Sequence, residues 1–112
     1  MPPVSLTMRE DGVLVVHMRG EIDYTNAAPV TEAVRQAVAR DRPGAVHVDL
    51  QEVTFLDSSG IGVLISAMKA AGVVGAQYRV LAPNSKVLSQ LEITGLAELF
   101  QVDAPRSPAA GG

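Results

Sequence analysis

The sequence contains no cysteine, and this absence removes several kinds of chemistry. Without thiols the chain has no disulfide framework, no thiol nucleophile and no cysteine-ligated zinc site. The lack of cysteine also fits a reducing compartment. Thiol-based redox functions are therefore excluded.

Long apolar runs and clusters of positive charge are missing as well. No stretch approaches the ~18 apolar residues of a membrane span, and residues 1–5 lack the basic start and apolar core of a signal peptide. The nine Lys and Arg residues are scattered along the chain, and the formal net charge is −3. Nucleic-acid binding needs a cluster of positive charge, so we expect none here. The missing span and signal peptide lead us to expect a cytoplasmic protein that does not bind membranes.

The sequence does carry enough apolar residues for one compact core. Hydrophobic residues make up 47% of the 112 positions, so a single domain needs no metal or disulfide to fold. We expect this domain to span residues 1–102. Residues 103–112 are rich in Pro, Ala and Gly and are expected to form a disordered tail.

The first forty residues indicate a β-hairpin followed by a helix. Apolar residues alternate before a turn signal at residues 10–12, and a β-branched apolar run follows it. Gly20 is expected to break the second strand. Thr25 or Asn26 can then cap a helix that runs to about Arg40, with apolar residues at three- and four-residue spacing.

The rest of the chain alternates strands with helices. We expect a buried strand at residues 45–50, a second helix after residue 60, a strand at 77–81 and a third helix opened by Asn84. The core-facing residues predicted for the second helix are Ile61, Leu64, Ile65, Met68 and Ala71.

Strand-helix-strand units predict parallel neighbours joined by right-handed crossovers. The fold class is therefore α/β, with a mixed sheet in which an initial antiparallel hairpin is followed by parallel strands packed with helices. The loops that leave the second and third strands, residues 21–24 and 51–59, should emerge at the same edge of the sheet. This arrangement would bring Asp23 close to Asp57 and to the serines that follow it.

The string Asp57-Ser58-Ser59-Gly60 places two hydroxyls at a helix N-terminus, where backbone N–H groups point outward and negative charge is favoured. The simplest interpretation is a helix cap worth about 1 kcal/mol. Two glycines in the first turn, Gly60 and Gly62, weaken a helix by roughly 1 kcal/mol each. They suggest that a backbone or a partner approaches closely here.

Several segments together resemble the anti-sigma factor antagonist branch of the STAS family. They are Gly20-Glu21-Ile22-Asp23, Val48-Asp49-Leu50, Phe55-Leu56-Asp57-Ser58-Ser59-Gly60-Ile61-Gly62-Val63-Leu64 and the closing Thr94-Gly95-Leu96 with Leu99-Phe100. The resemblance covers residues 4–102, and it implies a STAS-type fold.

The same resemblance implies a phosphorylation switch without enzyme activity, cofactor or metal. Ser59 would be the phosphoacceptor, with Ser58 as the alternative, and the kinase would be the ATP-dependent anti-sigma factor itself. The unphosphorylated protein would bind the anti-sigma factor and free a sigma factor, and a serine phosphatase would reset it. The sequence gives no sign of an oligomer, and a monomer is the default expectation. The implied partner-binding residues are Asp23, Tyr24, Asp57, Ser58, Ser59, Gly60, Ile61 and Gly62.

Other switches and other STAS proteins are the first group of alternatives. Asp57 could be the phosphoacceptor of a receiver domain, but receivers need an acidic pair at the end of the first strand to hold magnesium. Here a hairpin turn stands at that place. STAS subunits of stressosomes or of lipid-transport complexes share the fold, so fold class alone does not separate them from a sigma-factor regulator.

A serine hydrolase is the alternative from the enzyme class. It would need a base, and the candidates are His17 and His47, which both fall within predicted strands. Asp23, Asp49 and Asp57 could suggest a metal site. However, no histidine joins them, and Asp49 is better explained as a strand-end residue.

Overall fold

The structure is a computed structural model, and it describes residues 2–102. The predicted tail at residues 103–112 lies outside the described residues. Within residues 2–102 the strands are β1 Val4–Met8, β2 Val13–Ile22, β3 Ala45–Leu56 and β4 Gln77–Leu81. The helices are α1 Ala27–Asp41, α2 Ser58–Val73, α3 Ser85–Ile93 and α4 Leu96–Leu99.

The four strands form one sheet in the order β1-β2-β3-β4. β1 is antiparallel to β2, whereas β2 with β3 and β3 with β4 are parallel. The predicted mixed α/β sheet is therefore confirmed. None of the helices in this described part of the chain has the length and apolar character that crossing a membrane requires.

The core lies on one face of the sheet, beneath α1 and α2. Alternate residues of β2 and β3 are buried there, and α1 buries the stripe expected from its three- and four-residue spacing. α2 differs from the prediction, because it buries Val63 and Ala67 together with Leu64 and Ala71. Ile61, Ile65 and Met68 are only partly buried, at the margin of the core. The buried face of the helix is thus rotated relative to the predicted one, and Gly60 lies on it.

Two strand ends differ from the sequence prediction. β2 does not break at Gly20 but continues to Ile22, with Gly20 at φ 73°, a conformation that glycine adopts without strain. β3 does not end at residue 50 either. It extends to Leu56, so most of the expected loop at residues 51–59 is strand.

Register shifts between β2 and β3 explain why the sequence did not predict where β3 ends. Between the pairs His17–Asp49 and Ile22–Leu56, β3 advances seven residues while β2 advances five. The extra residues form bulge-like irregularities, which locally break the alternation of a strand. As a result every third residue, through to Leu56, is buried in this segment, and the pattern no longer has the period of two.

Tyr78 anchors α2 to β4 inside the core. Its hydroxyl donates a hydrogen bond to the backbone oxygen of Leu64 at 2.8 Å, and its ring meets Phe100 edge-on at a centroid distance of 5.9 Å. Burial raises the pKa of Tyr78 far above its ordinary value, so the hydroxyl stays a donor at any physiological pH.

We expect Tyr78→Phe to lower the free energy of unfolding by about 1 kcal/mol, because it removes this buried hydrogen bond and little else. Urea denaturation measures the change. Tyr24→Phe is the matched control, since the side chain of Tyr24 is 80% exposed and its hydroxyl should contribute nothing to stability. Equal effects of the two substitutions would contradict the assignment.

Candidate functional site

The second helix begins at the serine pair, and Asp57 caps it. The Asp57 backbone is extended, and its Oδ1 accepts a hydrogen bond from the Gly60 N–H at 2.9 Å. This bond satisfies one of the N–H groups that a helix start leaves without a partner. Both serines lie in the first turn of α2, where Ser58 is exposed and Ser59 is half-buried.

The end of β2 lies directly beside this helix start, as the parallel pairing predicted. Ile22 and Leu56 are the last paired residues of β2 and β3. The Asp57 N–H donates to the Ile22 carbonyl at 3.3 Å, and the Tyr24 N–H donates to Asp57 Oδ2 at 3.1 Å. One carboxylate therefore links the two loops. It holds Tyr24 beside the serine edge, the surface formed by Asp57, Ser58 and Ser59 at the start of α2.

The loop after β2 is held by its own polar side chains. Asp23 Oδ1 accepts hydrogen bonds from the Thr25 hydroxyl and the Thr25 N–H, and these bonds, the first above all, hold the pKa of Asp23 below its ordinary value. Asn26 accepts from the Asp23 N–H at 3.0 Å and donates to the Glu21 carbonyl at 2.8 Å. Asn26 occupies the N-cap position of α1, but its side chain makes no capping hydrogen bond to that helix and bonds to Glu21 and Asp23 instead. Tyr24 thus projects from a backbone that is fixed on both sides.

Gly60 lies close against the end of β2. A Cβ atom at this position would stand 2.3 Å from the Ile22 carbonyl oxygen and 2.9 Å from Leu56 Cδ2. The predicted close approach is therefore made by the chain's own backbone. Gly60 is buried, so within the predicted partner-binding set it would act by letting α2 approach β2. At Gly62 a Cβ would meet nothing within 4 Å.

The two histidines lie away from the serines. His17 Nδ1 is 3.2 Å from Asp49 Oδ2, and this pair precedes the last pair of β2 by five residues, roughly 16 Å along the strand. His47 lies further back still. Burial first, then the positive charges of Arg79 and Arg9, lower the pKa of His47. Neither ring is placed to accept a proton from the serine pair, so the geometry gives no support to a hydrolase.

The acidic residues near the edge have other partners. Asp23 and Asp57 accept backbone N–H groups, as described above. Asp49 lies in the middle of β3, opposite His17, so its interpretation as a strand-end residue was wrong. Across residues 2–102 there is no group of three His, Cys, Asp or Glu side chains that could hold a metal ion.

Two side chains next to this edge were absent from the predicted set. The Lys86 ammonium lies 5.9 Å from the ring centroid of Phe55, which pairs with Glu21 on β2. The Gln90 amide also reaches the edge and donates to the Leu56 carbonyl at 3.0 Å. Both Lys86 and Gln90 belong to α3, some thirty residues further along the chain. No local spacing in the sequence could have indicated these contacts.

The fold and this edge define a small α/β domain that presents a serine pair at a helix N-terminus. The family model described as STAS domain matches residues 6–107, and the chain belongs to this family. Curated relatives that match the chain are named as anti-sigma factor antagonists.

One such relative is the anti-sigma-F factor antagonist RsfB of Mycobacterium tuberculosis, which is 33% identical over 103 residues, covering 89% of this chain and 83% of RsfB. An anti-sigma factor antagonist from Mycobacterium paratuberculosis has a solved structure with a TM-score of 0.77 at 31% identity, covering 96% of this chain and 88% of that one. Unphosphorylated SpoIIAA, an anti-sigma factor antagonist, matches with a TM-score of 0.79 at 20% identity over 96% of this chain and 91% of its own. This last likeness concerns the fold.

Proposed function

We propose that this protein is an anti-sigma factor antagonist that binds an anti-sigma factor when it is unphosphorylated and so frees a sigma factor. The observation that carries the proposal is the serine pair at the start of α2, on the same edge as the rigid loop that bears Tyr24. Kinship with RsfB supports the same role. A cytoplasmic, monomeric protein belongs to the same proposal.

Phosphorylation of the serine pair ends the interaction, in this proposal. The anti-sigma factor acts as the ATP-dependent serine kinase, and a serine phosphatase reverses the modification. The family resemblance predicts Ser59 as the acceptor. Exposure favours Ser58, because Ser58 is open to solvent while Ser59 is half-buried, and a kinase must reach the hydroxyl.

The experiment is a labelling assay with ATP and candidate anti-sigma kinases from the same cell, followed by mapping of the phosphate by mass spectrometry. Ser58→Ala and Ser59→Ala separate the two acceptors, since only one of them should abolish labelling. Ser85→Ala is a matched control, because Ser85 is also an exposed first residue of a helix and follows a capping side chain, Asn84. Labelling that persists in the double variant Ser58→Ala/Ser59→Ala would refute the proposed switch.

Tyr24 is the expected anchor of the partner interface, together with Asp23, Ile61 and Gly62. Exposed aromatic rings held on a rigid backbone often contribute most of the binding energy of an interface. We expect Tyr24→Ala to weaken binding of the anti-sigma factor at least about tenfold while leaving the urea midpoint unchanged. Tyr24→Phe, which keeps the ring, should retain most of the affinity. Unchanged affinity in Tyr24→Ala would place the interface elsewhere.

A further inference from the structure

The last part of β3 has one edge that no strand covers. The pairing of β4 with β3 ends at Leu81 and Asp49, whereas β3 continues to Leu56. Within the described part of the chain, residues 50–56 therefore have a strand partner on the β2 side alone. This uncovered segment leads directly into Asp57.

Two side-chain amides from the α3 region bond to this segment. Asn84 Nδ2 donates to the Val53 carbonyl at 2.9 Å, and Gln90 Nε2 donates to the Leu56 carbonyl at 3.0 Å. Asn84 also caps α3, since its Oδ1 accepts from the Val87 N–H at 2.8 Å. The Gln90 amide has no such second role in its own helix. Its bond to Leu56 is therefore the feature to explain.

Gln90 is an unfavourable residue for packing alone. Its Oε1 atom is buried and meets no hydrogen-bond donor among residues 2–102. A buried acceptor without a donor destabilises a fold, and an apolar side chain of similar size would avoid that cost. The benefit of an amide at this position must then lie in the bond that its Nε2 makes to the Leu56 carbonyl.

We propose that Gln90 is a positioning residue for the serine edge. By holding the Leu56 carbonyl it fixes the peptide plane that leads into Asp57, and the Asp57 carboxylate in turn holds the N–H groups of Gly60 and Tyr24. Gln90 thus helps to set the loop that bears Tyr24 and the two serines relative to each other. The expected effect on partner binding rests on the proposed function, whereas the positioning of Asp57 does not.

Gln90→Leu is the first test, with Ser89→Ala, an exposed neighbour on α3, as control. The urea midpoint should change little, because the Leu56 carbonyl loses this donor while the unpartnered Gln90 Oε1 is removed, and the two effects act in opposite directions. Hydrogen exchange at the Tyr24 and Gly60 amides should become at least about threefold faster, since these amides depend on Asp57. Affinity for the anti-sigma factor should fall about five- to tenfold. Ser89→Ala should change none of these values.

Gln90→Glu adds a pH profile that a merely structural role would not produce. A protonated carboxyl can donate to the Leu56 carbonyl, but a carboxylate cannot and is repelled by it. Exchange at Tyr24 and Gly60, expressed as a ratio to the wild type at the same pH, should therefore be raised at about pH 8 and fall towards one as the pH drops below about 4, since the ordinary pKa of a Glu carboxyl is about 4.3. Gln90→Leu should show no such dependence.

Exchange at Tyr24 and Gly60 that is unchanged in both variants would overturn the inference. So would faster exchange spread evenly over the whole domain, because that result indicates general destabilisation. The exchange measurement needs no partner. If it responds as expected while the wild type binds no anti-sigma factor, the positioning role stands and the proposed function fails.

Discussion

Gly60→Ala is expected to lower the free energy of unfolding by about 3 kcal/mol, within the range for forced overpacking and backbone clashes. The added methyl group would stand 2.3 Å from the Ile22 carbonyl oxygen. That oxygen cannot move away freely, because it accepts the Asp57 N–H at 3.3 Å and belongs to the last residue of β2. The helix must shift instead, which disturbs the serine edge itself.

Gly62→Ala is the matched control for this prediction. It lies two residues further in the same helix, and a Cβ there meets nothing within 4 Å. Alanine is favoured over glycine in a helix by roughly 1 kcal/mol, so Gly62→Ala should stabilise the domain by about 0.5 to 1 kcal/mol. Urea denaturation of both variants gives the comparison. A loss of stability in Gly62→Ala as large as that in Gly60→Ala would show that the close approach to Ile22 is not the cause.

The strands and helices with regular periods were predictable from the sequence. The hairpin, α1, β4 and α3 all follow from alternation, from three- and four-residue spacing, or from capping residues such as Asn84. The meeting of the loop after β2 with Asp57 was also predictable, because the parallel pairing of β2 and β3 brings their ends to the same edge. The sheet topology alone was sufficient to predict this contact.

The remaining features of the fold and the site could not be predicted from the sequence, because tertiary packing overrides the local pattern there. The register shifts in β3 give its last part a period of three, which no strand template contains. The buried face of α2 includes Gly60, which lies against Ile22, 38 residues away in the chain. The bond from Gln90 to the Leu56 carbonyl joins a side chain to a distant backbone atom. Gly60 predicted a close approach, but the spacing of residues does not identify the partner in any of these contacts.

These contacts have a consequence for the proposed switch, because they fix the edge before any phosphate is added. Asp57 ties the Tyr24 loop to α2, Gly60 lets α2 lie against β2, and the Asp23 loop is closed by its own hydrogen bonds. A helix N-terminus also tolerates negative charge, since its free N–H groups and its dipole favour anions. A phosphate on Ser58 or Ser59 should therefore act on the partner, with little refolding of this protein.

Phosphorylation of the serine pair is accordingly expected to weaken binding of the anti-sigma factor several-hundredfold. The phosphate adds about −1.5 to −2 charge at pH 7 to an edge that already carries the carboxylates of Asp23 and Asp57. An interface fitted to a neutral hydroxyl would have to desolvate this dianion, and a penalty of ~3 to 4 kcal/mol corresponds to that loss of affinity.

Calorimetric titration of the phosphorylated and unphosphorylated proteins measures the change in affinity, and urea denaturation of both forms shows whether the fold is kept. We expect the urea midpoints to agree, because the added charge lies at the surface of a helix start. Ser58→Asp and Ser59→Asp should weaken binding less than phosphate does, since one carboxylate carries less charge. If the phosphorylated protein lost affinity only together with its stability, the serine would be a structural residue and repulsion at the interface would not be the mechanism.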